Sequence, residues 1–383
     1  MSPRSKREYF ENVYKRYRTA TSPVKSRLLD ELCATLDYHR KWAIAKLGIR
    51  RPKRRRKHKP GPASLYGRPE VKKVLAEVWM AANMPCSKRL KAILPLWMGS
   101  YEESFGTAEP WVKSALGKIS ASTIDRVMTQ TRKKYRGKGR STTKPGLLLR
   151  HQVPIKVHQW DEKRPGFLEA DTVAHCGTST AGLYVNTLDA VDIGTGWTEQ
   201  EAILGKGKRE AADAFRQIEK RLPFEILGID CDNGCEFLNE EVIRFCYADR
   251  PRKIEFTRSR AYKKNDNAHV EQKNWTHVRQ WLGYRRFENP AIVSSLNDLY
   301  RTEWRMFHNF FMPSVKLMDK QRIGSKIVKV HDSPKTPYQR VLESPHIDSV
   351  VKERLKKQLK GLNPFTLRKA MNEKIRKIHS LAG

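Results

Sequence analysis

The stretch GFLEADTVAHC at residues 166–176 opens the part of the chain that decides the fold. Together with LYVNTLDAVDIGT (183–195) and WTEQEAIL (197–204), it has the apolar composition and the Gly-containing turns of three consecutive short strands. A helical pattern follows at 208–222, then a strand at 224–230, a helix at 238–248, a strand at 253–259 and a long helix at 265–282. This order predicts an α/β domain with a mixed five-stranded sheet.

Three carboxylates lie at positions of this predicted α/β domain that suggest a shared site. Asp171 lies inside the first strand, Asp232 lies at the turn that ends the fourth strand, and Glu271 lies early in the last helix. If the first and fourth strands are neighbours and the last helix crosses their ends, all three side chains converge. Converging carboxylates repel one another unless divalent cations neutralise them, and hard carboxylate oxygens suit Mg²⁺ or Mn²⁺.

The stretches GFLEADTV, GIDCDNGCEF and YKKNDNAHVEQKNW resemble the catalytic core of DDE transposases and retroviral integrases, a resemblance that spans residues 151–300. It implies a ribonuclease H-like fold, with Asp171, Asp232 and Glu271 as the catalytic residues and metal ligands. It also implies two Mg²⁺ (or Mn²⁺) ions per active site and in-line displacement without a covalent enzyme intermediate. The function predicted is a transposase that cleaves DNA and transfers strands at mobile-element ends.

Other acidic residues of the core are alternative candidates for metal ligands. Glu169 and Asp230 each stand two positions before a predicted ligand, so strand alternation puts them on the same face. The resemblance favours Asp171 and Asp232 over them. Two further acids are interpreted as ordinary strand and turn residues: Asp189 and Asp192.

Three polar residues around Glu271 are predicted to contact DNA: Asn267, Lys273 and Arg279. Asn267 stands four positions before Glu271 on one helical face, where a role in starting the helix is an equal alternative. The family commonly has a basic, phosphate-holding residue seven positions after the glutamate. That position is Val278 here, and Arg279 stands beside it.

The charge of the chain points to a polyanionic partner. The 383 residues carry a net charge of +35, distributed as +25 over residues 1–150, −2 over 151–300 and +12 over 301–383. A nearly neutral middle between two basic flanks suggests that the flanks hold double-stranded DNA while the middle acts on it. The composition, with 39% hydrophobic residues, excludes wholesale disorder.

The sequence also bears on location. It has no run of 18 apolar residues and no apolar segment behind its basic start, which predicts neither a membrane span nor a signal peptide. The six cysteines have no regular spacing, so neither a disulfide framework nor a zinc ribbon is indicated. The predicted location is cytoplasmic, with nucleoid association.

Residues 1–50 are predicted to form a helix-turn-helix, with Asp37 capping a second helix that brings His39, Arg40 and Lys41 to DNA. A plain helical hairpin is the alternative. Residues 64–135 are interpreted as a second helical DNA-binding region that exposes Arg126, or as a helical spacer. Proline, glycine and dense charge mark linkers at 51–63, which includes Arg54, Arg55 and Arg56, and at 136–150.

The catalytic core is assigned to residues 151–300 and a basic, helical C-terminal tail to 301–383. Two alternative roles are predicted equally for the C-terminal region: holding DNA or packing on a partner protomer. A homo-oligomer on DNA is expected, because one active site must act at each of two element ends. Two other functions stay open: a catalytically silent DNA-binding regulator, and a ribonuclease H or junction-resolvase-type nuclease.

The basic linker generates the first prediction. Its residues 51–59 hold seven basic side chains: Arg51, Lys53, Arg54, Arg55, Arg56, Lys57 and Lys59. If all seven neutralise phosphates, they contribute a slope of up to about −6 to log K against log salt. Replacing them with Ser or Gln should flatten that slope and weaken element-end and random duplex by similar factors. Binding titrations between about 50 and 200 mM salt measure both quantities; lost discrimination with an unchanged slope would contradict the prediction.

Overall fold

The computed structural model describes residues 1–48, 64–135, 164–231, 236–237, 239–248, 250–258, 268–323 and 326–382. The chain divides into two compact units, an N-terminal unit Met1–Ala63 and a C-terminal unit Ser64–Gly383. Both predicted linkers, including Arg54, Arg55 and Arg56, lie outside the described residues.

The N-terminal unit consists of α1 Pro3–Thr19, α2 Ser22–Leu36 and α3 Arg40–Gly48. Its core is built from apolar side chains of all three helices: Val13, Leu28, Leu29, Leu32, Leu36, Ala43 and Leu47. Asp37 has a left-handed conformation (φ 57°) and its N–H donates to the Cys33 carbonyl, so it ends α2. The prediction that Asp37 caps α3 is therefore wrong. The first turn of α3 closes on His39, whose carbonyl accepts from the Ala43 amide.

The C-terminal unit begins with a helical layer: α4 Pro69–Ala81, α5 Ser87–Phe105, α6 Pro110–Lys118 and α7 Ala121–Tyr135. These helices pack on one another through a largely apolar interface, with α4 in contact with the other three. Each of α4 and α6 starts with a proline in its first turn, where the missing N–H has no intrahelical partner to lose.

The central sheet consists of β1 Phe167–Ala174, β2 Val185–Asp192, β3 Thr198–Leu204, β4 Gly228–Cys231 and β5 Glu255–Arg258. Its order is β3-β2-β1-β4-β5. The first three strands are antiparallel neighbours, whereas β4 runs parallel to β1 and β5 runs parallel to β4. The predicted α/β class, with a mixed five-stranded sheet and a helical N-terminal region, is confirmed.

Helices from the rest of the core pack on this sheet. They are α8 Lys208–Glu219, which contacts β2 and β3, α9 Glu240–Tyr247, which contacts α8 and β5, and α10 Ala268–Lys273, which contacts β1 and β2. A π-helical turn at Asn274–Arg279 and a short α11 at Gln280–Leu282 continue α10 as one helical segment. We call residues 268–282 the site helix.

The chain after the site helix covers the edge strand β3. It begins with α12 Ala291–Leu299, which continues through π-helical turns at Tyr300–Trp304 and Phe307–Phe311. The Asn297 side chain accepts from the Ala202 amide and donates to its carbonyl, at 2.6 and 3.0 Å. The Asn309 side chain does the same at Thr198, with both distances 2.9 Å. These two asparagines replace a neighbouring strand, so the edge is satisfied and covered.

The C-terminal region adds a hairpin that the sequence did not predict, β6 Leu317–Ile323 with β7 Lys326–His331. It then forms α13 Pro337–Glu343, α14 Ser349–Lys360 and α15 Pro364–Leu381. The last helix packs on α4, α5 and α12 within the same unit. Among the helices in the described part of the chain, none is long and apolar enough to cross a membrane.

Trp97 in α5 joins these layers and generates the second prediction. Its buried ring contacts Phe307, Phe311 and Phe365, and its N–H donates to the Phe311 carbonyl at 3.2 Å. Trp97→Ala should lower the free energy of unfolding of the C-terminal unit by about 3–5 kcal/mol, as for other buried aromatic truncations.

Urea unfolding followed by circular dichroism measures this change. Met80→Ala, at an exposed position of α4, is the matched control and should change stability by less than about 0.5 kcal/mol. Because the N-terminal unit can unfold separately, the contradicting result is two transitions within Ser64–Gly383, of which the Trp97 variant shifts one alone.

Candidate active site

Asp171 lies in the middle of β1 with its side chain partly exposed. Its Oδ1 accepts from the Thr172 amide at 2.7 Å, and its Oδ2 accepts from the Asn274 side-chain amide of the site helix at 2.6 Å. The second bond ties the centre of the sheet to the helix that carries Glu271.

Glu169, two residues earlier in β1, makes a second tie to the same helix. Its Oε2 accepts from the backbone amides of His269 and Val270, at 2.9 and 3.0 Å. These amides belong to the first turn of the site helix, which has no intrahelical acceptors of its own, so Glu169 supplies the missing cap. Glu271 follows directly and is exposed. Contacts to β1 therefore hold the helix on either side of Glu271.

The acids on this side of the sheet are close enough to influence one another. The pKa of Glu169 is raised to about 8. Burial is the main cause, the charges of Asp230 and Glu271 act in the same direction, and the hydrogen bonds from the two capping amides lower the pKa. Asp230 pairs with Glu169 in the β1–β4 register, and it accepts from the Thr257 hydroxyl at 2.7 Å. Glu169 and Asp230 are therefore neighbours on adjoining strands.

Asp232 and Asn267 lie outside the described residues, but the chain on both sides of Asp232 is described. Cys231, the last residue of β4, pairs with Ala170 of β1. Glu236 is buried, accepts from the Thr172 hydroxyl at 2.9 Å and forms an ion pair with Lys206 at 2.6 Å. The residues of β1 that anchor the two flanks, Ala170 and Thr172, are the immediate neighbours of Asp171.

A buried polar cluster lies beneath the site. Asp189 faces Asp171 across the β1–β2 register and is fully buried, and burial raises its pKa to about 8. Lys273 is buried as well, which lowers its pKa to about 7, and its Nζ lies 3.3 Å from His277 Nε2. His277 stacks on His308 with ring centroids 4.0 Å apart. Because the Lys273 ammonium points into the protein, a DNA phosphate cannot reach it in this conformation.

Arg279, the other basic residue predicted on this helix, is half-buried at the far end of β1. Its guanidinium donates to the Ala174 carbonyl at 2.7 Å and lies 4.8 Å from the centroid of the Tyr284 ring. Burial lowers the pKa of Arg279 from its usual value. The residue is therefore held in place next to the sheet rather than extended into solvent.

The predicted DNA contacts of the N-terminal unit, His39, Arg40 and Lys41, are exposed at the start of α3. Arg40 also forms an ion pair with Asp30 and donates to the Ser26 hydroxyl at 3.0 Å, so it links α3 to α2. Arg126, in the C-terminal unit, is exposed on α7 and donates to the Thr123 hydroxyl at 3.1 Å.

The donor set fits a hard divalent cation in part. Asp171 and Glu271 offer carboxylate oxygens, the ligands that Mg²⁺ prefers; Asp171 is partly exposed and Glu271 is exposed. Within the described ranges, no three His, Cys, Asp or Glu side chains come together as a metal-binding group. The third predicted ligand, Asp232, does not belong to those ranges.

Sequence reasoning missed Asn274 and the cap made by Glu169. Asn274 stands three positions after Glu271, a spacing that puts both on neighbouring parts of one helical surface. That spacing was the available signal. The contact of Glu169 with backbone amides had no signal in the sequence, because any side chain of suitable length can accept from a helix start.

The cap generates the third prediction. Glu169→Ala should increase the hydrogen-exchange rates of the His269 and Val270 amides by about 5- to 30-fold, because losing a helix cap costs about 1–2 kcal/mol. Glu169→Gln retains an acceptor oxygen and should keep most of the protection. Native-state exchange followed by mass spectrometry or NMR measures both variants; equal protection in Ala and wild type would contradict the capping role.

No protein-family model matches the chain. Solved structures similar to it include the catalytic core domain of BIV integrase (18% identity, 47% of this chain and 96% of that chain, TM-score 0.29). They also include the HTLV-2 integrase catalytic core domain in complex with magnesium (19% identity, 39% and 90%, TM-score 0.29). A third is the simian T-cell lymphotropic virus intasome in complex with PP2A regulatory subunit B56 gamma (16%, 55% and 68%, TM-score 0.32).

A curated relative is much more similar. The chain is 37% identical over 346 residues to "Uncharacterized protein y4rM" of Sinorhizobium fredii (strain NBRC 101917 / NGR234), which covers 89% of this chain and 96% of the relative. The chain belongs to the protein family of S. fredii y4rM.

Proposed function

We propose that the chain is a DNA transposase that cleaves and joins DNA at the ends of a mobile element by metal-dependent phosphoryl transfer. The observation that carries the proposal is the double attachment of the site helix to β1. Glu169 caps the helix before Glu271, and Asn274 binds Asp171 after it. Two of the three predicted acids are thereby held on one side of the sheet.

The third acid, Asp232, lies outside the described residues, and its assignment is supported by the residues on either side. Asp232 is joined by one peptide bond to Cys231, and consecutive Cα atoms lie about 3.8 Å apart. Cys231 pairs with Ala170, and Glu236 bonds Thr172, so the connecting chain starts and ends beside Asp171. The attachment of these described flanks to Ala170 and Thr172 supports the proposal that Asp232 completes a triad with Asp171 and Glu271.

The three carboxylates would hold two Mg²⁺ or Mn²⁺ ions, which supply charge neutralisation at the phosphate and activation of the attacking oxygen. The protein's own residues keep the ligands in place. Asn274 orients the Asp171 carboxylate through its 2.6 Å bond, and Glu169 fixes the start of the helix that bears Glu271. In-line attack at phosphorus depends on such positioning more than on a protein nucleophile.

DNA would be held by the basic flanks of the chain. His39, Arg40 and Lys41 are proposed to contact the element end from α3, and Arg126 from α7. Arg54, Arg55 and Arg56 are proposed to follow phosphates. Asn267 is proposed to contact DNA near the triad, and Arg279 is proposed to contact it beside the far end of β1. The chain is further proposed to act in the nucleoid as a homo-oligomer assembled on two element ends.

The fourth prediction tests the triad. Asp171→Asn, Asp232→Asn and Glu271→Gln should each abolish cleavage of duplex DNA that carries the element ends in Mg²⁺, while affinity for that DNA stays within about two-fold. Each change keeps the side-chain shape and removes the charge that binds metal. Gel assays of nicked product and a fluorescence titration without divalent metal measure the two properties.

Asp213→Asn is the matched control, since Asp213 is an exposed carboxylate that pairs with Arg216 on α8. It should cleave at the wild-type rate. A triad variant that nicks DNA as fast as this control would remove that residue from the site. Wild-type protein that binds element ends but never cleaves them would favour a silent regulator, and cleavage of RNA in a hybrid would favour a ribonuclease.

A further inference from the structure

We propose that Trp275 is a stacking platform for an unpaired nucleobase of the DNA end. The inference rests on the proposed function, because it names what binds beside the triad. It assigns a binding role to the exposed surface of the site helix, where the apolar ring of Trp275 meets solvent.

The exposure of Trp275 is unusual within its own unit. Its relative exposure is 49%, whereas Trp79, Trp97, Trp197 and Trp304 are buried and Trp111 and Trp281 are partly buried. These are the tryptophans that the structure describes in Ser64–Gly383. A large apolar ring left in water forgoes the stabilisation that burial provides, so a surface tryptophan beside a candidate active site indicates a ligand.

The ring stands on a helix that is fixed with respect to the acids. Asn274, the preceding residue, binds Asp171, and Glu271 lies one helical turn before Trp275. Thr276, the residue after Trp275, is also held: its carbonyl accepts from the Trp281 indole at 3.0 Å, and its hydroxyl donates to the Gln272 carbonyl. A platform held in this way binds a flat ligand with little loss of its own conformational freedom.

The continuation of the site helix offers groups that suit a nucleotide. Tyr284 is 64% exposed, and the Arg279 guanidinium lies 4.8 Å from its ring centroid while anchored to the Ala174 carbonyl. Exposed aromatic rings together with an immobilised cation match a nucleobase and its phosphate. The basic flanks on either side of the nearly neutral core, +25 over residues 1–150 and +12 over 301–383, favour a nucleic acid over an acidic or apolar protein segment as the partner of the chain.

An unpaired base suits an exposed ring better than a paired one. A base inside a duplex has both faces covered and a terminal pair exposes its outer face alone, whereas a frayed or single-stranded base can turn either face to an indole. A DNA end that frays at the site would place its terminal bases on the helix surface while its phosphate faces the triad.

The experiment uses the full chain without divalent metal, so that no cleavage is needed. The probes are a blunt hairpin duplex and the same hairpin with a three-nucleotide tail of 2-aminopurine. We expect wild type to bind the tailed hairpin more tightly and to quench the 2-aminopurine fluorescence. Trp275→Ala should weaken binding of the tailed hairpin by about 5- to 150-fold, the range measured for loss of one stacking aromatic, and should relieve the quenching.

Two controls separate stacking from other effects. Trp275→Phe keeps a ring and should retain most of the affinity, and Tyr247→Ala removes an exposed aromatic from α9 and should change nothing. A tail of abasic sites should bind wild type and Trp275→Ala equally. Equal affinity of the two proteins for the 2-aminopurine tail would overturn the proposal, as would a loss that the abasic tail shares.

The same data keep this proposal apart from the proposed function. If the tail preference depends on Trp275 but wild type never cleaves DNA in Mg²⁺, the base-stacking site stands and the transposase activity fails. If wild type cleaves and the tail preference is the same in Trp275→Ala, the activity stands and the stacking site is overturned.

Discussion

The attachment of one helix to one strand carries the rest of the candidate site. Glu169 of β1 satisfies the unpaired amides at the start of the site helix, and Asp171 of the same strand binds Asn274 one turn later. Both carboxylates reach the site helix from the same face of β1, because residues two apart in a strand share a face. The position of Glu271 is a consequence of these bonds, since it lies between the two points of attachment.

Placing several acids together has an electrostatic cost that the structure limits by burial. Asp189 faces Asp171 and Glu169 lies near Asp230 and Glu271, but burial raises the pKa of both Asp189 and Glu169 to about 8. Burial thus disfavours the charged forms of these two acids and opposes further negative charge beside Asp171 and Glu271. Divalent cations would then have to neutralise mainly the carboxylates that face solvent.

The C-terminal residues are part of the core rather than an appendage. Asn297 and Asn309 complete the hydrogen bonds of the edge strand β3. Glu199 of the same strand is buried between Arg221 and Arg305, at 3.1 and 2.9 Å. A buried carboxylate without these partners would be strongly unfavourable, so the strand and the helices that supply them depend on one another.

The sequence by itself determined the strand and helix order of the core, because alternation and turn residues act over short distances, and it determined Asp171 and Glu271 as candidates through their motif. It predicted neither the capping role of Glu169 nor the burial of Lys273. It also missed the β6–β7 hairpin and the conformation of Asp37 at the end of α2. Those features depend on which surfaces pack together. The sequence does not reveal that the sheet and His277 enclose Lys273, because lysines on amphipathic helices commonly face solvent. A carboxylate becomes a helix cap only when tertiary packing brings the unpaired amides of a helix start within hydrogen-bonding distance.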